Sequence, residues 1–492
     1  ECTVMGVGDV SGDVFGNGML LSRHIRLLAA FDHRHVFIDP SPDAARSFAE
    51  RERLFRLPRS SWADYDTSLI SDGGGVWARS EKSIPISPQA QAALGITVDR
   101  LAPAELLSAI LKAPVDLVYN GGIGTYVKAS SETHAEVGDR ANDALRINGR
   151  DLRCKVVAEG GNLGFTQRGR IEAALAGVNT DAIDNSAGVD TSDHEVNIKI
   201  LLGLAMGDGE MTDKQRNTLL PQMTDDVAAL VLRDNYFQTQ SLSIGGRLAG
   251  SLVDQQARFI RYLEKHGRLN RAIEFLPVDD DIAERKAHGI GLTTPERAVL
   301  LAYSKMWLYD ELLESDLPED PWVSQALARY FPPLLREKFG AYIPRHPLKR
   351  EIIATHVVNS MVNRVGSTFV HRLSETTGAR AAQIVRAYLA TREVFGYVDL
   401  WLAIEALDNR VADEVQAQLL TELGRLGTRA TTWFLRSKRL AEPMEQTFAR
   451  FRPAVGVAGR RRCETIAFRA SARRRRTAYW ESDGNVPTIR EI

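Results

Sequence analysis

Apolar positions fall into two textures along this chain. Over residues 1 to about 200, short apolar runs alternate with glycine-rich turns and helical stretches, and beyond Lys199 apolar residues recur every three or four positions. The first texture predicts an α/β domain over residues 1–200, and the second a mainly α-helical domain over 201–450. Thr3–Val7, His35–Asp39, Asp116–Tyr119 and Lys155–Ala158 read as strands. Gly18–Ala30 reads as a helix carrying Met19, Leu20, Leu21, Ile25, Leu27 and Leu28. Further on, Thr294-Pro295-Glu296 reads as a helix start, with a cap, a proline in the first turn and an acid near the positive end of the dipole. The helix it opens is expected to bury Val299, Leu300, Tyr303, Met306 and Trp307. Leu252, Phe259, Ile260 and Leu263 form a second stripe closed by Gly267, and Ile352, Ile353, Val357 and Val358 begin a third after Pro347. Such stripes at helical spacing are ordinarily core.

The chemistry-bearing positions sit at strand ends. Gly6, Gly8 and Gly12 give G-x-G-x-x-x-G directly after the first strand, one residue longer than the usual fingerprint. Glycine permits a tight turn and lets backbone approach a pyrophosphate at a helix N-terminus. A plain glycine-rich turn is the alternative. Asp39 closes the second strand, where an acid receives the ribose hydroxyls and repels a 2′-phosphate, which favours NAD over NADP. Its spacing from Gly8 exceeds the usual interval of about 20 residues. Either the first helix is long or Asp39 caps the turn Pro40–Asp43. Asn120-Gly121-Gly122 and Glu159-Gly160-Gly161-Asn162 end the other two strands, at the edge where parallel sheets bind ligands.

Composition narrows the classes. At 492 residues the chain should hold at least two domains. A formal net charge of −1 gives no global reason to expect nucleic acid or a membrane surface as partner. Three cysteines, Cys2, Cys154 and Cys463, make no C-x-x-C pair, so neither a disulfide framework nor a cysteine zinc site is expected; a reducing cytoplasm fits. No metal is expected. From Phe451 onward lysine vanishes while arginines crowd into Arg460–Arg462 and Arg473–Arg476. Residues 451–492 therefore read as a disordered or non-native tail rather than a basic arm. The opening Glu1, without Met, predicts a segment of a longer chain.

From Gly8-Asp-Val-Ser-Gly-Asp-Val-Phe-Gly-Asn-Gly18 the chain resembles the large bacterial NAD-specific glutamate dehydrogenases. The likeness continues in Phe31–Pro40, Tyr119–Tyr126, Ala158–Gly164 and Asp184–Lys199, and in His346–Thr355 with Val362-Asn-Arg364. It covers about residues 3 to 450. The resemblance implies a Rossmann-like dinucleotide-binding domain and oxidative deamination of L-glutamate to 2-oxoglutarate and ammonium, with hydride passing to NAD. It implies that Gly6, Gly8 and Gly12 cradle the pyrophosphate, that Ser11 donates to it, and that Asp39 holds the ribose. Asn120 and Gly121 would border the cofactor, and Asn162 would face the nicotinamide.

Asn185 to Ser192 is similar to the Asn-x-Gly-Gly-Val-x-x-Ser of smaller glutamate dehydrogenases, whose serine helps bind the substrate's side-chain carboxylate; here that residue is Ser192. Ser192-Asp-His-Glu195 also fits a capping box. His194 is expected to be structural. Asp9 and Asp13 depart from the pattern, since negative charge beside a pyrophosphate is unfavourable. Nothing matches the family's catalytic lysine and aspartate, so no catalytic residue is assigned and negligible activity is expected of this chain alone. A homo-oligomer is expected. A dehydrogenase of another amino acid, and a non-catalytic NAD-binding or oligomerisation module, are the competing readings.

Overall fold

The computed structural model describes residues 1–8, 19–174, 176–437, 442–453 and 455. Ser11 and Gly12, with Asp9 and Asp13, lie outside the described residues, as does the arginine-rich tail from residue 456 on. The chain divides into two compact units. The first comprises Glu1–Leu313 with Gln325–Phe369, and the second comprises Glu314–Ser324 with the described residues from Val370.

Unit 1 is built on a six-stranded mixed sheet. Its strands are β1 (Cys2–Val7), β2 (Ile25–Phe31), β3 (His35–Ile38), β4 (Gly75–Ala78), β5 (Leu117–Asn120) and β6 (Val156–Glu159). Their order across the sheet is β6-β5-β1-β2-β3-β4. The first four in that order are mutually parallel, whereas β3 runs antiparallel to both β2 and β4. β1 therefore has β2 on one side and β5 on the other, and its carboxyl end marks a topological switch point.

β2 corrects the expected helix over Gly18–Ala30. Only Met19–Leu21 is helical there, as a short 3-10 turn, and Ile25, Leu27, Leu28, Ala29, Ala30 and Phe31 form a buried strand. A strand covered on both faces is apolar throughout, so no alternation betrays it. One face packs Met5, Val7, Phe31 and Val118 against Leu106, Leu107 and Ile110 of α2 (Pro103–Leu111). The other packs Val4, Leu27, Ala30 and Phe37 against Leu54 of α1 (Ala44–Arg56) and against Trp62 and Tyr65. α1 opens on Asp43, whose carboxylate accepts from the Arg46 N–H at 2.8 Å.

Two short helices, α3 (Gln167–Glu172) and α4 (Asp181–Asp184), follow β6. Then come α5 (Ser186–Gly207), α6 (Thr224–Arg247), α7 (Ala249–Lys265), α8 (Thr294–Leu313) and α9 (Lys349–Val365). α6 packs on α5, α8 and α9. The expected division at residue 200 falls inside α5, whose Ile198, Leu201 and Leu202 are buried. α7 closes at Gly267, which adopts φ +66° as an αL cap. The α7 and α9 stripes are buried as anticipated, with Leu252 half-buried. On α8, Leu300 and Trp307 are buried but Met306 is exposed, and the cap is Thr293, whose N–H and hydroxyl both donate to Glu296.

Unit 2 packs α10 (Ala381–Val394) against α12 (Asp413–Arg436), with α11 (Tyr397–Glu405) beside them. Tyr397 donates to the Leu423 carbonyl at 3.2 Å. Among the described residues no helix is long and apolar enough to cross a membrane.

Candidate functional site

Three turns leave the carboxyl edge of the sheet side by side, after β1, β5 and β6. They are bound to one another through backbone. Gly8 N–H donates to the Phe31 carbonyl at 2.8 Å, Gly121 N–H to Val7 at 3.0 Å, and Gly160 N–H to Asn120 at 2.8 Å. Gly8 adopts φ +142°, a region that L side chains avoid. A Cβ on Gly122 would lie 3.0 Å from Val7 Cγ1, and one on Gly161 would lie 3.0 Å from the Gly122 carbonyl oxygen. Close approach of the turns is thus the physical reason for the doubled glycines. Gly6, by contrast, sits within β1, paired with Ala30 and Tyr119.

Asn120, at the end of β5, is 1% exposed, and among the described residues neither side-chain amide atom has a hydrogen-bond partner. Its Nδ2 lies against Gly164, 1.8 Å from where a Cβ would stand. Asn162 and Asn185 are brought together: Asn185 Nδ2 donates to Asn162 Oδ1 at 3.1 Å. The adjoining Leu163 takes φ +57°, a strained conformation for a branched residue. It is held there by Asp181, which accepts from its N–H at 2.8 Å, and by Thr125 Oγ1, which donates to its carbonyl at 2.8 Å.

Behind that turn lies a compact charge network. Arg170 of α3 donates to both oxygens of the buried Glu159 at 2.7 and 2.9 Å, and its Nη2 is 3.1 Å from Asp181. Asp184 accepts from the Glu159 N–H at 2.9 Å and from Asn179 Nδ2 at 2.8 Å. Burial pushes the Glu159 carboxyl above its ordinary range, opposed by Arg170. Burial raises Asp184 too, opposed by its Asn179 and backbone bonds.

Asp39 is not at this edge. Because β3 runs antiparallel, its carboxyl end lies at the opposite edge of the sheet, where the Asp39 N–H donates to Leu28. The Asp39 carboxylate accepts from the Ser71 hydroxyl and, at 3.1 Å, from the Ser71 N–H. The acid beside the glycine turn is Asp32, which follows β2. Its Oδ1 accepts from the N–H groups of Arg34 and His35 at 2.7 and 2.6 Å, while its buried Oδ2 has no partner among the described residues. The signal was spacing: Asp32 lies nearer than Asp39 to the usual interval of about 20 residues after the glycines.

Ser192 does not cap a helix. α5 begins at Ser186 with Asn185 before it, so Ser192 stands on the second turn, exposed, with its hydroxyl donating to Gly188 O at 3.2 Å. His194 is buried and stacks on Tyr330 at 4.4 Å, which in turn donates to Asp193 at 2.7 Å. A structural role fits that arrangement. Sequence reasoning also passed over a half-buried trio on α5, α6 and α8. Burial there pushes Asp234 up to about 6 and Lys305 down to about 8, and raises Asp190 as well.

A mixed sheet with four parallel strands and a glycine-lined switch point, followed by helices, defines an α/β domain. Residues 1–245 match the family described as bacterial NAD-glutamate dehydrogenase, catalytic domain, and residues 289–488 match glutamate dehydrogenase, C-terminal. The chain belongs to this bacterial NAD-glutamate dehydrogenase family. It is 55% identical over 459 residues to the NAD-specific glutamate dehydrogenase of Pseudomonas aeruginosa, covering 93% of this chain and 28% of that protein. The NAD-specific glutamate dehydrogenase of Mycobacterium tuberculosis is 51% identical over 443 residues, covering 88% of this chain and 27% of that protein. The chain thus spans little more than a quarter of the relatives it matches.

Proposed function

We propose that the carboxyl edge of this sheet is a Rossmann-like NAD site. In this reading the chain supplies the cofactor-binding part of an enzyme that oxidatively deaminates L-glutamate to 2-oxoglutarate and ammonium. The observation that carries it is that two buried polar groups at one switch point, Asp32 Oδ2 and the Asn120 amide, have no partner among the described residues. Orphaned buried polar atoms are costly unless a ligand or water completes them. Asp32, rather than Asp39, would receive the ribose hydroxyls. Gly8 and Gly121 would let backbone approach the cofactor, and the Asn120 amide would meet its carboxamide. NAD, when bound, supplies the hydride acceptor. Asn162, fixed by Asn185, would border the nicotinamide, and Ser192, exposed on α5, would reach the substrate's distal carboxylate. Ser11 and Gly12 remain part of this proposal through the sequence alone.

No residue of this chain is assigned as the catalytic base, so binding without turnover is expected. Calorimetric titration with NAD and NADP, followed by a glutamate-dependent NADH assay, tests the reading. NAD binding in preference to NADP supports it, and a folded chain that binds neither overturns it. Homo-oligomerisation is retained as part of the proposal, to be checked by light scattering.

A further inference from the structure

The network behind the Asn162 turn carries an uneven charge. All six carboxylate oxygens of Glu159, Asp181 and Asp184 accept from N–H donors. Glu159 takes two from Arg170. Asp181 takes Ala182 N–H at 2.9 Å and Arg170 on one oxygen, and Leu163 N–H on the other. Asp184 takes Asn179 on one oxygen and the Glu159 N–H on the other. N–H donors on both oxygens favour the ionised form of a carboxylate, against the burial that raises Glu159 and Asp184. Within this network three anions therefore face one cation, Arg170; α3 also carries Arg168 and Glu172, one charge of each sign, which leaves the balance unchanged. The Asn120 amide, without a partner among the described residues, and Glu159 Oε2 both lie against Gly164, which joins this network to the carboxyl edge of the sheet.

NAD and its reduced form differ in charge at one place: the oxidised nicotinamide ring is a cation and the reduced ring is neutral. We propose that the net negative charge of the Glu159–Arg170–Asp181–Asp184 network makes this edge bind the oxidised cofactor in preference to the reduced one. The inference rests on the NAD reading above. It gives the network a task beyond holding the turn, since an enzyme running toward deamination must take up NAD and release NADH. One unit charge about 10 Å from the ring, at an effective permittivity of about 40, changes the ratio of the two affinities about fourfold.

Two substitutions act in opposite directions without dismantling the turn. Asp181→Asn removes a charge; its amide oxygen still accepts from Leu163 N–H, while its Nδ2 replaces the oxygen that accepted from Ala182 N–H and Arg170, a loss that weakens both cofactor forms alike and leaves their ratio as the readout. Gln167→Glu adds one where Gln167 Oε1 already accepts from Arg170 Nη1 at 3.4 Å. Dissociation constants of this chain for NAD, by calorimetry, and for NADH, by its fluorescence, give the ratio directly. Asp181→Asn is expected to shift the ratio about fourfold toward NADH, and Gln167→Glu about fourfold toward NAD. Equal changes in both affinities, or an unmoved ratio in both variants, overturn the inference and leave the network a purely structural clamp. A folded wild-type chain that binds neither form removes the NAD reading itself, and the inference with it.

Discussion

Replacing Arg170 by Met should destabilise unit 1 in a way that depends steeply on pH. Arg170 holds both oxygens of Glu159, a side chain with no solvent exposure, and touches Asp181 as well. Methionine keeps much of the volume but leaves Glu159 as an uncompensated buried charge. Breaking such a pair ordinarily costs about 3–5 kcal/mol. The molecule has an escape, which is to protonate Glu159. From an ordinary pKa of about 4.3, that costs about 1.4 kcal/mol per pH unit, hence about 4 kcal/mol at pH 7 and about 1 kcal/mol at pH 5.

The sign follows from proton linkage. In the variant the folded state binds a proton that the unfolded state releases above its own pKa, so stability falls as pH rises. Urea unfolding by circular dichroism at pH 5 and 7 measures the deficit. Hydrogen exchange of residues 156–163 reports whether it is local to β6 and its turn. Glu159→Gln/Arg170→Met, which removes the charge altogether, should recover most of the loss. A deficit below about 1 kcal/mol at pH 7, or one equal at both pH values, would refute the reasoning.

Three further outcomes are expected. Asp32→Asn should weaken NAD binding at least about tenfold by calorimetry, the scale of a lost charge-assisted hydrogen bond, while Asp39→Asn leaves it unchanged and lowers stability by about 1 kcal/mol through Ser71. Equal effects of the two would mean that the wrong acid has been chosen. Gly164→Ala places a methyl 1.8 Å from Asn120 Nδ2 and should destabilise by about 1–3 kcal/mol with a marked loss of NAD affinity, read by thermal unfolding and calorimetry. In the helical layer, Asp234 is raised to about 6 and Lys305 lowered to about 8. A raised acid makes stability fall as pH climbs from about 4 to 6, and a lowered lysine makes it rise from about 8 to 10. Asp234→Asn should shrink the lower limb of that melting-temperature profile, to which the other raised carboxyls also contribute, and keep the upper one.

The sequence declared the turns better than the strands that bear them. Asn120-Gly-Gly and Glu159-Gly-Gly-Asn were readable because glycine and amide residues at strand ends have few other uses. α7 and α9 were readable because one-sided burial imposes a helical period. β2 was not, since burial on both faces erases alternation and leaves a run that helix and strand share. Asp39 misled for a related reason: strand direction is absent from local pattern, and only pairing shows that β3 turns back. Ser192 fitted a capping box, yet Asn185 starts the helix seven residues earlier. The Glu159–Arg170–Asp181–Asp184 network joins residues up to 25 positions apart, and no motif announces that.

α5 has a mechanical consequence. Its 22 residues make an unbroken rod about 33 Å long. One end begins at Asn185, in contact with Asn162, and its middle is gripped by Tyr330 stacking on His194 and by the His346 ring against the Asn197 carbonyl at 3.1 Å. Its far half is packed as well, through buried Leu201, Leu202 and Ala205 and through Arg345 on Asp208, so it shifts only as one body. A tilt of about 10° about that grip moves each end about 3 Å in opposite senses. A displacement of the far end near Gly207 would therefore reach the Asn162–Asn185 pair through this one rod.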